Sequence, residues 1–233
     1  MESEEIELQA LYDELVSRKG EGRRRRFRII LGKATIAATY GLKRMIDLVG
    51  SVGALVCLSP VFAATALAIR LESKGPVFFA QTRVGRDGRH FKFWKFRSMR
   101  TDAEALKAKL MQQNESKDGV IFKMKNDPRI TKVGRFIRKY SIDELPQLWN
   151  VLIGDLSLVG PRPPVPSEVA QYTLEERKRL NVIPGLTCLW QIKGRSDIPF
   201  KEQVRLDTEY IRTRGFWSDL KILLKTPAAI LSG

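Results

Sequence analysis

Apolar residues dominate the chain from Ile46 to Ile69, IDLVGSVGALVCLSPVFAATALAI, and these 24 residues predict a helix ~36 Å long at ~1.5 Å per residue, enough to cross a bilayer. Two features argue against a straight span. Asp47 sits at its start, and Ser59-Pro60 sits past its middle, where proline removes a helical hydrogen bond and favours a kink. Lys43 and Arg44 precede the run and Arg70 and Lys74 follow it, so the flanking charge assigns no orientation to a through-span. A helix that enters, bends at Ser59-Pro60 and returns fits this pattern better, with Ser59 placed to satisfy a freed backbone group. A buried helix of a soluble core is the remaining alternative.

Beyond the run, GPVFFAQTRVGRDGRHFKFWKFRSMR reads as two apolar-rich strands around Arg86-Asp87-Gly88, a β-hairpin. Period-2 alternation puts Phe91, Phe93, Lys95 and Arg97 on one face of the second strand. Such a face suits phosphate and a base ring, a nucleic-acid platform, or a strand whose basic residues reach water. A helix over 103–113, a mobile loop over 114–118, a turn at Asp127-Pro128-Arg129 and a helix over 131–139 follow. In that last helix Arg135 and Arg138 share a face at i,i+3. The carboxy-terminal third predicts a polar helix over 174–181, an extended Pro184-Gly185-Leu186 turn, and helices over 200–214 and 216–231. The last places Phe216, Trp217, Leu220, Leu223 and Leu224 near one face with Lys221 and Lys225 interleaved, as in an interfacial helix or one packed on a core. The expected fold class is α/β, mostly helical, with a small β-hairpin or sheet.

Composition narrows the partners. With 43% hydrophobic residues the chain is not generally disordered, and a net charge of +15 calls for nucleic acid, an anionic membrane surface or phosphorylated substrates. The acidic helical pattern over 2–16 is no signal peptide. Arg23 to Arg26, just ahead of an apolar segment, suit anionic head groups on a cytoplasmic membrane face. Cys57 and Cys188 lack metal-ligand spacing and read as reduced packing residues. His90, the sole histidine, excludes a histidine metal cluster and reads as a strand or turn residue.

The chemistry concentrates in SIDELPQLWNVLIGDLSLVGPRP, from Ser141 to Pro163. Asp143 and Glu144 lie at a predicted helix start, where free N–H groups favour an ionised carboxylate and a bound phosphate. Ser141 with Glu144 three residues on equally fits a capping box. Arg138 can fork a phosphate near Asp143 or form a salt bridge to Glu144 or Asp155. Arg162, between Pro161 and Pro163, suits a ligand clamp. No internal repeat, Walker loop or GxGxxG after a strand is present.

Together, KRMIDL, LSPVF, GPVFFAQTRVG, FKFWKFRSM, DPRITKVGRFIRKYSIDELPQLWNVLIGDLSLVGPRP and PGLTCLWQIKGRS, in this order, resemble the bacterial sugar transferases known as monotopic polyprenyl-phosphate phosphoglycosyl transferases. The resemblance runs from Lys43 to Thr226. It implies a re-entrant membrane helix over 43–72 broken at Ser59-Pro60 and a compact catalytic domain with interfacial helices over 73–233, and it leaves the charged extension over 1–42 without an assigned role. It places that domain on the cytosolic face of the bacterial inner membrane. Asp143 resembles the family's nucleophile and Glu144 the carboxylate that engages Mg2+. The implied reaction moves a sugar 1-phosphate from a UDP-sugar to undecaprenyl phosphate through a phosphosugar-aspartate, releasing UMP, as a first membrane step of polysaccharide assembly. Arg138 and Arg162 match phosphate-holding positions; Lys95 and Arg97 are similar, and Arg195 is a candidate nucleotide or sugar contact. PGLTCLWQIKGRS looks more like members that transfer hexose 1-phosphate than those acting on acetamido sugars. The multi-span region and extra domain of larger members are expected to be absent. Expected partners are UDP-sugar, undecaprenyl phosphate and membrane lipids, without nucleic acid, and a homodimer is left open. The rivals, a membrane-tethered nucleic-acid binder and an inert assembly protein, do not require the Asp143-Glu144 pair.

Overall fold

The computed structural model describes residues 38–103, 105–106, 124, 127–194 and 198–231. The extension over 1–37 with its arginine run, most of the helix expected over 103–113, the loop over 114–118, and Arg195 lie outside the described residues. The chain divides into two units, Met1–Met45 and Ile46–Gly233.

The apolar run forms two helices, α1 (Ala38–Cys57) and α2 (Ser59–Glu72), bent by 59° at Leu58. Pro60 has no N–H to give the Val56 carbonyl four residues back, and the Ser59 hydroxyl donates to it instead at 2.8 Å. Among the described residues no single helix is long and apolar enough to cross a membrane, but the bent pair meets that test together. Val49, Val56, Leu67 and Leu71 are exposed along it. Cys57, expected to be a packing residue, is exposed as well, because it ends α1 on this outward surface beside Val56. The middle of α1 is different. Buried Asp47 accepts hydrogen bonds from Ser157 Oγ (3.0 Å) and from the Leu158 amide (2.9 Å).

The hairpin is formed by β1 (Phe78–Val84) and β2 (His90–Phe96), antiparallel, with Gln81 opposite Phe93 and Phe79 opposite Lys95. Asp87 (φ 57°) and Gly88 (φ 78°) give its turn the left-handed backbone that a tight hairpin needs. Phe93 and Phe96 lie on opposite faces of β2, yet both are buried. The strand is therefore covered on both sides, and its aromatic-basic face is no open stacking platform.

After Thr131, whose hydroxyl accepts from the Gly134 amide at 2.9 Å, comes α3 (Lys132–Lys139). Gly134 has no room for a Cβ, which would meet the Ser98 carbonyl. Glu72, the last residue of α2, accepts the Val133 amide at 3.1 Å, so the end of one helix caps the start of the other. A 3-10 turn, Ile142–Glu144, leads into α4 (Gln147–Ile153), which ends at Gly154 (φ 98°).

Then β3 (Ser157–Val159) pairs in parallel with β4 (Gly185–Thr187), where the sequence suggested only an extended turn. A Cβ on Gly185 would run into the Gly160 backbone, so the two glycines allow this close pairing. Between these strands lie α5 (Pro166–Val169) and α6 (Leu174–Arg177), the latter with a Thr173–Glu176 capping box. The chain closes with α7 (Leu189–Lys193), α8 (Phe200–Thr213) and α9 (Phe216–Leu231). The core joins Phe93, Val151 and Leu156 around the hairpin to Val159, Tyr210 and Ile222 around β3. On α9 the expected single apolar face divides: Ile222 is buried, Leu220 and Leu223 are half-buried, and Phe216, Trp217 and Leu224 are exposed.

Candidate active site

Four elements converge on one carboxylate pair. The 3-10 turn supplies Asp143 and Glu144, β2 supplies Lys95, the loop after β3 supplies Arg162, and α3 supplies Arg138. Ser141, directly ahead of the pair, holds a left-handed backbone (φ 54°), uncommon for a residue with a side chain. Its side chain makes no capping hydrogen bond, and the Glu144 carboxylate goes elsewhere, so the capping-box alternative does not form.

Glu144 is held from two sides. Lys95 Nζ lies 2.7 Å and Arg162 Nη2 2.5 Å from its Oε1, and Arg162 Nη1 reaches Oε2 at 3.3 Å. Burial alone would raise its carboxyl, but Arg162 and Lys95 outweigh that and hold it well below the usual carboxylate range. Asp143 is treated otherwise. It is buried, and its ion-pair partner is Lys95 Nζ at 3.7 Å. Burial pushes its carboxyl up, against the pull of Lys95. One carboxylate is thus pinned and anionic, while its neighbour, beside Lys95 at 3.7 Å, accepts no hydrogen bond among the described residues.

Arg138 forms neither of the salt bridges open to it from sequence. Its Nε donates to Ser98 Oγ at 2.8 Å, Asp143 is its foremost charged neighbour, and Asp155 accepts from Asn150 instead. Arg97 is turned away from the pair. β2 ends at Phe96, and the Arg97 guanidinium donates to the Lys74 carbonyl (3.0 Å) and to the Ser73 carbonyl (2.8 Å), closing the end of α2 among Arg70 and Glu72. It serves the turn after the bent helices rather than the carboxylate pair. Arg195 lies outside the described residues. Ser59 and Pro60 sit at the bend.

The model of the bacterial sugar transferases matches residues 38–233. The chain belongs to this family. Among similar bacterial sugar transferases is the galactosyl transferase CpsE of Streptococcus agalactiae serotype III, 49% identical over 194 residues, which cover 82% of this chain and 42% of that protein. The undecaprenyl-phosphate galactose phosphotransferase of Salmonella typhimurium is 42% identical over 196 residues, 82% of this chain and 40% of its own length. The chain therefore spans about two fifths of these larger relatives. The exopolysaccharide production protein ExoY of Rhizobium meliloti is 38% identical over 194 residues and is itself 86% covered.

Two residues that support this site were not legible in the sequence. Asn150 on α4 accepts the Trp94 amide (3.1 Å) and donates to the Lys92 carbonyl (2.7 Å), which fixes the helix after the carboxylate pair against the strand that carries Lys95. Arg83 on β1 donates to the Pro163 carbonyl at 3.0 Å, beside Arg162. Alternation along β1, which puts Gln81 and Arg83 on one face, is the signal that could have found it.

Proposed function

We propose that this chain transfers a sugar 1-phosphate from a UDP-sugar to a polyprenyl phosphate at the cytosolic face of the bacterial inner membrane. The observation that carries this reading is the asymmetry of the pair: Glu144 is clamped by Lys95 and Arg162, whereas Asp143 is buried with its oxygens uncommitted to any hydrogen bond among the described residues. In the first step an Asp143 oxygen attacks the sugar-bearing phosphorus. A P–O(Asp) bond forms, the bond to the bridging oxygen breaks, and UMP leaves with that oxygen. In the second step the polyprenyl phosphate attacks the same phosphorus and returns the Asp143 carboxylate, giving polyprenyl-diphospho-sugar. Arg138, with one edge on Ser98 and Asp143 nearby, is placed to hold the substrate phosphates.

Among the described residues no cluster of three metal-ligating side chains occurs. Mg2+ commonly uses only one or two carboxylates together with substrate phosphates; Asp143 fits that donor set, and Glu144 would join it by sharing an oxygen that Lys95 or Arg162 now holds. Bound there, Mg2+ would supply charge neutralisation between the carboxylate and the phosphates.

The bent α1–α2 pair supports a re-entrant membrane segment, and exposed Trp217 and Leu224 on α9, with exposed Lys221 between them and Lys225 just after, support a helix lying at the lipid surface. Hexose 1-phosphate is the favoured donor group, in keeping with relatives named for galactose and, in Komagataeibacter xylinus, for glucose. The test is UMP release by the full chain in lipid nanodiscs with Mg2+, undecaprenyl phosphate and a panel of UDP-sugars, beside Asp143→Asn. Without lipid acceptor, mass spectrometry should find a phosphosugar on native protein and none on the variant. Native protein that releases no UMP with any donor overturns the reading.

A further inference from the structure

The loop that presents Arg162 is Gly160-Pro161-Arg162-Pro163-Pro164, and its prolines bring no N–H groups of their own. Its carbonyls are instead gripped from both sides. On the β4 side the Gly185 amide donates to the Pro161 carbonyl at 2.8 Å, and Gly160 donates to the Thr187 carbonyl at 3.0 Å. On the β1 side the Val84 amide donates to the Pro164 carbonyl at 2.9 Å, and Arg83 Nη1 donates to the Pro163 carbonyl at 3.0 Å. Three of these four grips come from backbone. Ahead of Arg162 the grip comes from the Gly185 backbone; just after it, at Pro163, it comes from a side chain.

Arg83 is itself held. Gln81 Oε1 accepts from its Nε (3.1 Å) and Nη2 (2.8 Å), and the guanidinium lies 5.3 Å from the centre of the Phe93 ring. Among the described residues no carboxylate forms an ion pair with it. Burial, with the like charge of Arg162 next, lowers it to about 10. A cation kept half-buried beside another cation, with only neutral acceptors, serves through its donor geometry rather than through charge pairing.

We infer that Arg83 is a positioning residue: by fixing the Pro163 carbonyl, it sets the direction from which Arg162 reaches Glu144. The inference rests on the transferase reading for its kinetic consequence but not for its structural one. Arg162 holds the carboxylate next to the nucleophile, and small misplacements in such a site cost on the order of 10²-fold in rate.

Two measurements on the full chain in nanodiscs test it. Hydrogen exchange over 157–165 should accelerate in Arg83→Gln and stay near native in Arg83→Lys, which keeps one donor for the Pro163 carbonyl. UMP release should fall on the order of 10²-fold in Arg83→Gln, recover in part in Arg83→Lys, and fall no further when Arg83→Gln is added to Arg162→Gln. Unchanged exchange in Arg83→Gln, or losses that multiply in the double variant, overturns the inference. A native chain without UMP release overturns the transferase reading, while the exchange result still decides the role of Arg83.

Discussion

Lys95 stands 1.0 Å closer to Glu144 than to Asp143, at 2.7 Å against 3.7 Å, so a single ammonium serves both carboxylates unequally. It helps to pin one and moderates the burial of the other. Lys95→Met should therefore lower UMP release by about 10²–10³-fold, the scale of removing one preorganised electrostatic partner. It should also move the acid limb of the pH–rate profile. Burial already raises Asp143 and Lys95 opposes that rise, so without Lys95 the ionised nucleophile appears only at higher pH. The acid limb shifts upward; a downward shift would contradict this account of the pair.

The bend between α1 and α2 rests on an exchange of donors at the Val56 carbonyl. Pro60→Ala restores the missing N–H and should straighten the pair. Cysteines placed before and after the bend should then label from opposite sides of the bilayer instead of from one. Ser59→Ala should keep the bend at a cost of about 1 kcal/mol, because it removes one hydrogen bond and adds none.

Arg179 and Asp207 form a buried ion pair at 2.7 Å between the segment after α6 and α8. Burial raises Asp207 from 3.8 to about 6, despite Arg179. The folded chain thus holds this proton more tightly than the unfolded chain does. The associated stability is full below 3.8 and is lost as pH rises through 6. Asp207→Asn should remove that slope and cost about 3–5 kcal/mol at neutral pH by stranding a buried guanidinium. Arg179→Met with Asp207→Leu should recover much of the loss. Denaturant midpoints across pH 4–7 read both effects.

Gly185→Ala should force β4 away from Gly160, since its new Cβ would meet the Gly160 backbone. Overpacking of this kind costs about 1–3 kcal/mol. The separation would also move the Arg162 loop, so thermal stability and UMP release should fall together.

The hairpin, the helices over 132–139, 200–213 and 216–231, and the carboxylate pair were all legible because each is announced locally, by alternation, by a cap such as Thr131, or by the motif around Asp143. The β3–β4 pair was not. Each strand has three residues, too few for alternation, and their pairing depends on two glycines far apart in sequence meeting at close range. Arg97 follows the alternation in its backbone, since its amide still donates to the Val77 carbonyl at 2.8 Å, but its long side chain is taken by the Ser73 and Lys74 carbonyls, partners that no local pattern announces. The roles of Arg83 and Glu72 depend on partners 80 and 61 residues away, beyond any local pattern.

Both limbs of the bent helix pair are tied to segments that carry the site: Asp47 accepts the amide of Leu158 on β3, and Glu72 accepts the Val133 amide in the first turn of the helix bearing Arg138. A tilt of either limb is therefore a pull on β3 or on the helix that bears Arg138, so the bend at Leu58 and the placement of that arginine are one mechanical problem.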